Sequence, residues 1–191
     1  MRVSAKADYA ARAAAELATA SHAPITADRI AEAQDIPVKF LESILLELKH
    51  AGIVRSQRGP DGGYSLARPA QDISLADVIR AVDGPLANVR GDRPENMEYR
   101  GAAAPLTDVW IAVRAALREI LETTSLANLR DGRLPERVRE LADDPEAWVS
   151  LGRIRGTGAA ASTSAGDPRG SAGTGQGRRD RAQPKVSSAR S

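Results

Sequence analysis

The chain has 191 residues, with 27 basic and 25 acidic side chains, a formal net charge of +2 and no cysteine. Without cysteine it cannot form disulfides, thiolate zinc sites, cysteine-ligated iron–sulfur clusters or a cysteine nucleophile. Only two histidines are present, and no apolar run approaches the ~20 residues of a membrane span. These counts exclude a histidine-rich metal centre and a membrane helix, so we expect a cytoplasmic, mostly helical protein.

The N-terminal region predicts three helices. Ser4 can cap an alanine-rich helix that extends to about Thr19, and a second, short helix is predicted over 27–34. Pro37 suits the opening of a third helix, which stops at Gly52. Its apolar residues repeat with a helical period, and they are Phe40, Leu41, Ile44, Leu45 and Leu48. Two short helices joined by a tight turn indicate a helix-turn-helix.

A β-hairpin is predicted directly after these helices. Residues 53–58 form a short strand, residues 59–63 a glycine-rich turn, and residues 64–67 the return strand. The fold is therefore predicted to be mainly α with a small β-hairpin wing, a winged helix-turn-helix over residues 1–83. In such a fold the recognition helix enters the major groove and the wing approaches the minor groove. The candidate DNA-binding residues are Lys6, Lys39, Phe40, Glu42, Ser43, Arg58, Gly59, Pro60, Gly62, Gly63 and Tyr64.

A second functional class stays open at this point. Winged helices also serve as protein-interaction modules that act mainly through a partner protein. Residues 1–66 contain eight basic and eight acidic side chains, so they lack the basic surplus typical of a DNA-binding surface. Lys39, Glu42 and Ser43 are equally compatible with a solvated helix start.

The wing sequence carries a family resemblance. Residues 58–66, RGPDGGYSL, resemble the wing of the Rrf-two (Rrf2) family of bacterial winged-helix transcriptional regulators. The similarity extends over roughly residues 1–130, including the first ten residues, the helix-turn-helix at 30–32 and 40–45, and the helix after the wing at 74–79. It implies a homodimer that binds a palindromic operator in double-stranded DNA, most often as a repressor.

The loop over residues 84–106 departs from the cluster-binding members of that family. Those members keep three cysteines in this loop. In the present chain, Ala104 and Thr107 occupy the positions at which the family's iron–sulfur regulator has its last cysteine and its histidine. Asp8 matches a carboxylate that a nitric-oxide-sensing member of the family supplies to its cluster from the partner subunit. One carboxylate per subunit cannot hold a cluster. We therefore expect a member without an iron–sulfur cluster or any other cofactor.

The region 107–130 predicts a dimerisation helix. Thr107 is expected to cap a helix that runs to about Thr123, with an apolar stripe along one side. The stripe packs either on a second subunit or on the first helix of its own domain. Trp110 and Trp148 are expected to be buried core anchors. The candidate dimerisation residues are Val109, Trp110, Val113, Leu117, Ile120 and Leu121.

The C-terminal part divides into a helical extension and a tail. Residues 131–155 predict a further helix from Pro135 to about Leu151, kinked or split near Asp144-Pro145. Residues 156–191 predict a disordered tail of small and polar residues, with six basic and two acidic side chains. The tail carries +4, so the preceding residues carry −2. Such a tail either attracts phosphates weakly or only keeps the protein soluble.

Catalysis is not indicated. The sequence contains no Gly-x-Ser-x-Gly elbow, phosphate loop or histidine pair at metal-ligand spacing. The charged residues of the loop over 84–105 are compatible with a polar pocket or with a solvated loop. We expect a transcriptional regulator that is cytosolic, and nucleoid-associated when bound to DNA. Whether its effector is a metabolic enzyme or a small molecule stays open.

Overall fold

The computed structural model describes residues 3–20 and 23–149. The tail predicted to be disordered, and the last residues of the predicted helical extension, lie outside the described residues. Seven helices and one two-stranded antiparallel sheet are found in the described part. The fold is thus mainly α with a β-hairpin, as predicted. No helix in this part of the chain is long and apolar enough to cross a membrane.

The helices and strands follow one another along the chain with short connections, except for the loop over residues 84–105 between α4 and α5. Four short 3₁₀ turns occupy residues 70–72, 94–96, 101–103 and 145–148. The elements are α1 (Ala5–Thr19), α2 (Ala27–Gln34), α3 (Val38–His50), β1 (Val54–Gln57), β2 (Gly63–Leu66), α4 (Leu75–Asp83), α5 (Leu106–Thr123), α6 (Leu126–Asp131) and α7 (Glu136–Asp143).

Local capping fixes the starts of α1 and α2 and the turn into α3. The Ser4 hydroxyl accepts a hydrogen bond from the Ala7 N–H at 2.9 Å, and Thr26 caps α2 in the same way. Asp35 ends α2 in the left-handed conformation with a φ of 49°. Its N–H lies within reach of the carbonyls at the end of α2, so the tight turn into α3 leaves few backbone groups unpaired.

The core forms around the alanine-rich α1, which packs against α2, α3, α4 and α6. Alanines let these neighbours approach closely, because their side chains extend only one carbon from the backbone. Four predicted apolar residues of α3 are fully buried in this core: Leu41, Ile44, Leu45 and Leu48. Phe40, which the helical period grouped with these residues and which is also a candidate DNA contact, is 49% exposed. It lies at the edge of the apolar face and turns toward α1.

The hairpin is attached to the rest of the domain by a backbone bridge that the sequence did not predict. β1 pairs with β2 in the register Val54 to Leu66 and Gln57 to Gly63. The N–H groups of Ile25 and Tyr64 each donate to the other residue's carbonyl at 2.8 Å. This bridge joins the wing to the segment before α2, so the hairpin does not project as an isolated pair of strands.

The second half of the structure differs from the prediction at two helix ends. Thr107 does not cap α5, because α5 begins at Leu106 after Pro105 and the Thr107 hydroxyl donates to the Met97 carbonyl at 3.2 Å. The helix ends at Thr123, and a separate helix, α6, follows with its own capping box of Ser125 and Asn128.

The C-terminal extension is split as predicted. α7 ends at Asp143, and a 3₁₀ turn over 145–148 follows Asp144. Arg137 of α7 pairs with Glu119 of α5 at 3.3 Å, so the extension contacts the body. Trp148 is 78% exposed, which corrects the expectation that it is a core anchor. Its indole N–H donates a hydrogen bond to the nearby Ala142 carbonyl.

Candidate nucleic-acid interface

The face of α3 opposite its buried leucines and isoleucine is fully exposed. Helical geometry requires this, since residues three and four apart share a face and the core takes only one side. The exposed face presents both charged and apolar groups. It carries the predicted Lys39, Glu42 and Ser43, together with Val38, Leu46, Lys49 and His50.

Leu46 is a candidate contact residue that the sequence prediction missed. Its side chain is 51% exposed, although it lies within the apolar run of α3. The signal was its spacing, because Leu46 lies three residues after Ser43 and so shares its face. The Ser43 hydroxyl donates to the Phe40 carbonyl at 2.8 Å, which fixes its orientation and leaves its oxygen as an acceptor.

The Phe40 side chain extends from α3 toward α1. Its ring meets the edge of the Tyr9 ring at a centroid distance of 6.0 Å and an angle of 83°. The guanidinium of Arg12 stands 5.5 Å above the same tyrosine ring. Phe40 is therefore held in place on one side while the other remains exposed, as a contact to a thymine methyl group requires.

The wing tip is a turn closed by a hydrogen bond from the Gly62 N–H to the Gly59 carbonyl at 2.9 Å. Arg58, Gly59, Pro60 and Asp61 are all exposed around it. The tip therefore presents one guanidinium and one carboxylate at the end of a short, closed hairpin.

Gly62 and Gly63 are required by the backbone of the wing itself. A Cβ on Gly62 would lie 2.6 Å from the Gln57 carbonyl oxygen, and one on Gly63 would lie 2.6 Å from the Ile25 carbonyl oxygen. Neither position leaves room for a side chain. Internal packing alone therefore explains both glycines, which the sequence suggested as candidate DNA contacts.

Tyr64 and Lys6 have structural contacts in addition to their predicted role. The Tyr64 ring packs against the core, and its backbone forms the bridge to Ile25. The Lys6 ammonium pairs with Glu47 of α3 at 2.6 Å and donates to the Val82 carbonyl of α4 at 2.9 Å. Lys6 therefore links α1, α3 and α4, whereas Lys39 and Arg58 form no ion pair among the described residues.

α5 is the least buried long element of the described residues. None of its 18 residues is fully buried. The predicted stripe is only half-buried, and it packs on α4 and the 3₁₀ turn at 94–96 rather than mainly on α1. Trp110 donates its indole N–H to the Tyr99 hydroxyl at 3.1 Å, while Val109 is 48% exposed.

Comparisons with known proteins point to a family of transcriptional regulators. The family model described as "Rrf2: Iron-dependent Transcriptional regulator" matches residues 3–132. Rv1287 of Mycobacterium tuberculosis, named as an HTH-type transcriptional regulator, is 51% identical over 151 residues, which are 78% of this chain and 94% of Rv1287.

Two solved structures share the fold. CymR, the global cysteine regulator of B. subtilis, superposes with a TM-score of 0.59 and 30% identity, covering 69% of this chain and 98% of CymR. The IscR structure from T. potens gives a TM-score of 0.55 and 29% identity, covering 80% of this chain and 94% of IscR. Both structures share the winged-helix fold with this chain.

The family description names iron, and the side chains of this chain do not fit an iron–sulfur cluster. The sequence has no cysteine. Within the described ranges, no group of three or more His, Cys, Asp or Glu side chains is placed to hold a metal ion. Asp8 accepts from Arg12 at 3.3 Å, Thr107 donates to a backbone carbonyl, and Ala104 carries no donor atom. Thiolates supply the ligands of such clusters.

Proposed function

Because the chain belongs to the Rrf2 family of transcriptional regulators, we propose that it is a homodimeric repressor that recognises a palindromic operator through α3 and the wing. The observation that carries the proposal is the exposed face of α3, the second helix of a helix-turn-helix that is followed by a bridged wing. The family consists of DNA-binding regulators and not of enzymes. A place in the cytosol, at the nucleoid when bound, accords with this function.

The exposed side chains of α3 suit direct readout of base edges. Glu42 accepts from the cytosine N4 amino group, and the Ser43 oxygen accepts from a base amino group, since its own proton is donated to the Phe40 carbonyl. Phe40 and Leu46 supply apolar contact to thymine methyl groups. Lys39 adds a cation that makes no ion pair among the described residues, so it is available to a phosphate or to guanine.

The wing supplies contact beside the major groove. Arg58 is exposed at its start and suits the narrow, negative minor groove. Gly59 and Pro60 keep the tip small, so the backbone of the turn reaches the phosphates. Gly62, Gly63 and Tyr64 support this tip through their internal contacts, which is the role that we assign to them.

A second copy of the chain completes the operator contact. Recognition helices of symmetric dimers bind half-sites about one helical turn apart, so a palindrome mirrors the two-fold axis. α5 is the element that we assign to the dimer contact, through the exposed Val109 and the half-buried Trp110, Val113, Leu117, Ile120 and Leu121.

The test is selection of operator sequences from random duplex DNA, followed by binding profiles over single-base variants. Glu42→Ala should relax base preference at one position in each half-site, at a cost of about 1–3 kcal/mol for the preferred base. Arg58→Ala should weaken binding evenly across sequences and flatten its salt dependence.

Glu98→Ala is the matched control, since Glu98 is exposed, lies outside the interface and forms no ion pair among the described residues. It should change neither the base preference nor the salt dependence of binding. An unaltered base preference in Glu42→Ala, with a silent Arg58→Ala, would place the DNA on another surface.

One observation favours a second function. Val38, Phe40 and Leu46 give the exposed face of α3 an apolar character that also suits a protein partner. If no selected duplex binds better than random DNA at low salt, this face is the docking surface of a protein-interaction module. Leu46→Lys would then abolish partner binding, whereas in the DNA case it would strengthen nonspecific binding.

A further inference from the structure

Four arginines from three parts of the chain line one cavity. Arg80 comes from α4, Arg93 from the loop before α5, and Arg114 and Arg118 from the middle of α5. The cavity has a volume of about 530 Å³, within the range of small-molecule sites. Pro85, Leu86 and the fully buried Pro94 add apolar wall. We call it the arginine cavity.

The positive charge of the arginine cavity is only partly neutralised. Glu95 pairs with Arg114 at 2.5 Å, and Glu122 pairs with both Arg80 and Arg118. Asp77 lies 4.0 Å from Arg80, but it also pairs with Arg68 at 3.6 Å. Arg93 forms no ion pair among the described residues. Four guanidinium groups therefore face two carboxylates of their own.

Both carboxylates stay ionised, so the surplus is a true charge of the site. Hydrogen bonds from Arg80 and then from Arg118 lower the pKa of Glu122. The pKa of Glu95 is lowered first by its own backbone N–H and then by Arg114. At neutral pH the four arginines and these two glutamates together leave a net charge of +2, although Arg93 alone of the four forms no ion pair among the described residues.

We propose that the arginine cavity binds a small metabolite with two or more carboxylate or phosphate groups, and that its occupancy regulates operator binding. Planar guanidinium groups hold both kinds of anion through paired N–H donors, and each ion pair present uses only part of a five-donor fork. The regulatory half of the inference rests on the proposed function. The binding half does not.

The position of the cavity explains how an anion would act at a distance. Arg80 lies in α4, which packs against α1 and α3, while Arg114 and Arg118 lie in α5, the proposed dimer helix. An anion between them fixes the angle between the winged domain and α5, and hence the spacing of two recognition helices. By linkage, operator DNA changes the anion affinity by the same factor that the anion changes the operator affinity.

The binding test is calorimetric titration of the full chain with citrate and, separately, pyrophosphate in a chloride buffer. One probe should bind each chain once with a Kd below about 1 mM, and the better probe identifies the carboxylate or phosphate class. Arg93→Ala/Arg118→Ala should weaken it about tenfold or more, because the charge-assisted hydrogen bonds of both guanidinium groups are removed.

Arg133→Ala/Arg139→Ala is the control, since it removes the same charge from exposed arginines outside the cavity. It should keep the affinity within about twofold. Absence of binding by both probes, or equal weakening in the two variants, would overturn the site. Circular dichroism and the single Arg93→Ala variant, which breaks no ion pair among the described residues, exclude unfolding as the cause.

The regulatory test measures operator affinity with and without the bound probe at matched ionic strength. The native chain should respond about fivefold or more, and Arg93→Ala/Arg118→Ala should not. A bound probe with unchanged operator affinity would overturn the regulation and leave the site standing. A chain that binds the probe but no operator would overturn the proposed function and, with it, the regulation.

Discussion

Two adjacent glycines determine whether the wing forms. Gly63 has a φ of 152°, and its Cα faces the Ile25 carbonyl across the bridge that joins the wing to the segment before α2. Gly62 is enclosed by the carbonyls of its own turn. Both positions therefore fix the shape of the hairpin from within, before any DNA is present.

Gly63→Ala should lower the free energy of unfolding by about 1–3 kcal/mol, because its new Cβ would lie 2.6 Å from the Ile25 oxygen and force the bridge apart. The measurement is urea denaturation of purified protein. Gly59→Ala is the control, since Gly59 also has a positive φ of 113° but nothing within 4 Å of the added carbon. Equal destabilisation in the two variants would show that backbone strain, and not the clash, limits this position.

Residue-level prediction from the sequence succeeded where the relevant contacts are local. The helical period identified Leu41, Ile44, Leu45 and Leu48 as core, because spacing alone sets which face is buried. The same period grouped Phe40 with these residues, but its ring is half exposed and contacts Tyr9 on another helix. The period did not predict the contacts of Lys6, because Glu47 and Val82 are distant in sequence and only the fold brings them to the ammonium.

At the scale of elements, α5 is long and apolar but poorly covered by its own chain. A helix with this pattern is stabilised by packing of its apolar side. In α5 that side is only half-buried against α4, so part of it remains exposed. The side of α5 around Val109 is exposed among the described residues. A second subunit would bury it.

Val109→Asp should convert the proposed dimer to a monomer at micromolar concentration, since a buried, unpaired carboxylate costs several kcal/mol in an interface. Because Val109 is exposed in the single chain, the fold of the monomer should survive. Sedimentation velocity with circular dichroism measures both properties. Val149→Asp, a change at an exposed valine outside α5, should remain dimeric. A dimeric Val109→Asp would place the interface elsewhere.

Glu122 joins α4 to α5 through Arg80 and Arg118. Glu122→Gln should lower the free energy of unfolding by about 0.5–1 kcal/mol at neutral pH, a value limited by solvent exposure of the group. The Arg80 and Arg118 hydrogen bonds lower its folded-state pKa below the ordinary 4.5. The contribution is therefore fully present above that ordinary value and disappears as the pH falls toward the lowered one.

Thermal unfolding at several pH values checks this expectation. The difference between native and Glu122→Gln protein should shrink only in the acidic range. Glu98→Gln, at a carboxylate without an ion pair in the described ranges, should show no such difference. A constant difference down to acidic pH would mean that shape, and not charge, makes Glu122 stabilising.

Element boundaries were predictable where capping residues are unambiguous. Ser4 caps α1 at the expected residue. The sequence also suggested Thr107 as a cap, but Pro105 starts α5 two residues earlier and frees the threonine hydroxyl for Met97. The separate helix α6 was not predicted, since its position depends on burial of Leu126 and on the bridge between Ser74 and Ser125.

At the scale of the whole molecule, charge is distributed unevenly along the chain. Residues 156–191 contain six basic and two acidic side chains, while the residues before them are slightly acidic. The sequence pI of about 9.2 therefore reflects the tail more than the winged domain. We therefore propose a division in which α3 reads the bases and the tail adds general attraction to phosphates beyond that of the wing.

A chain that ends at residue 155 should rank operator variants as the full chain does, because phosphate contacts position a protein while base contacts specify its site. It should bind all duplexes more weakly at low salt, and its affinity should depend less steeply on salt, by about 0.9 in slope for each phosphate that the tail no longer neutralises. A full-length chain with the six basic tail residues replaced by glutamine separates charge from length. If its affinity equals that of the native chain, the tail serves solubility and not phosphate attraction. If truncation alters the ranking of operators, the tail itself reads bases, and the division between the two parts of the chain is wrong.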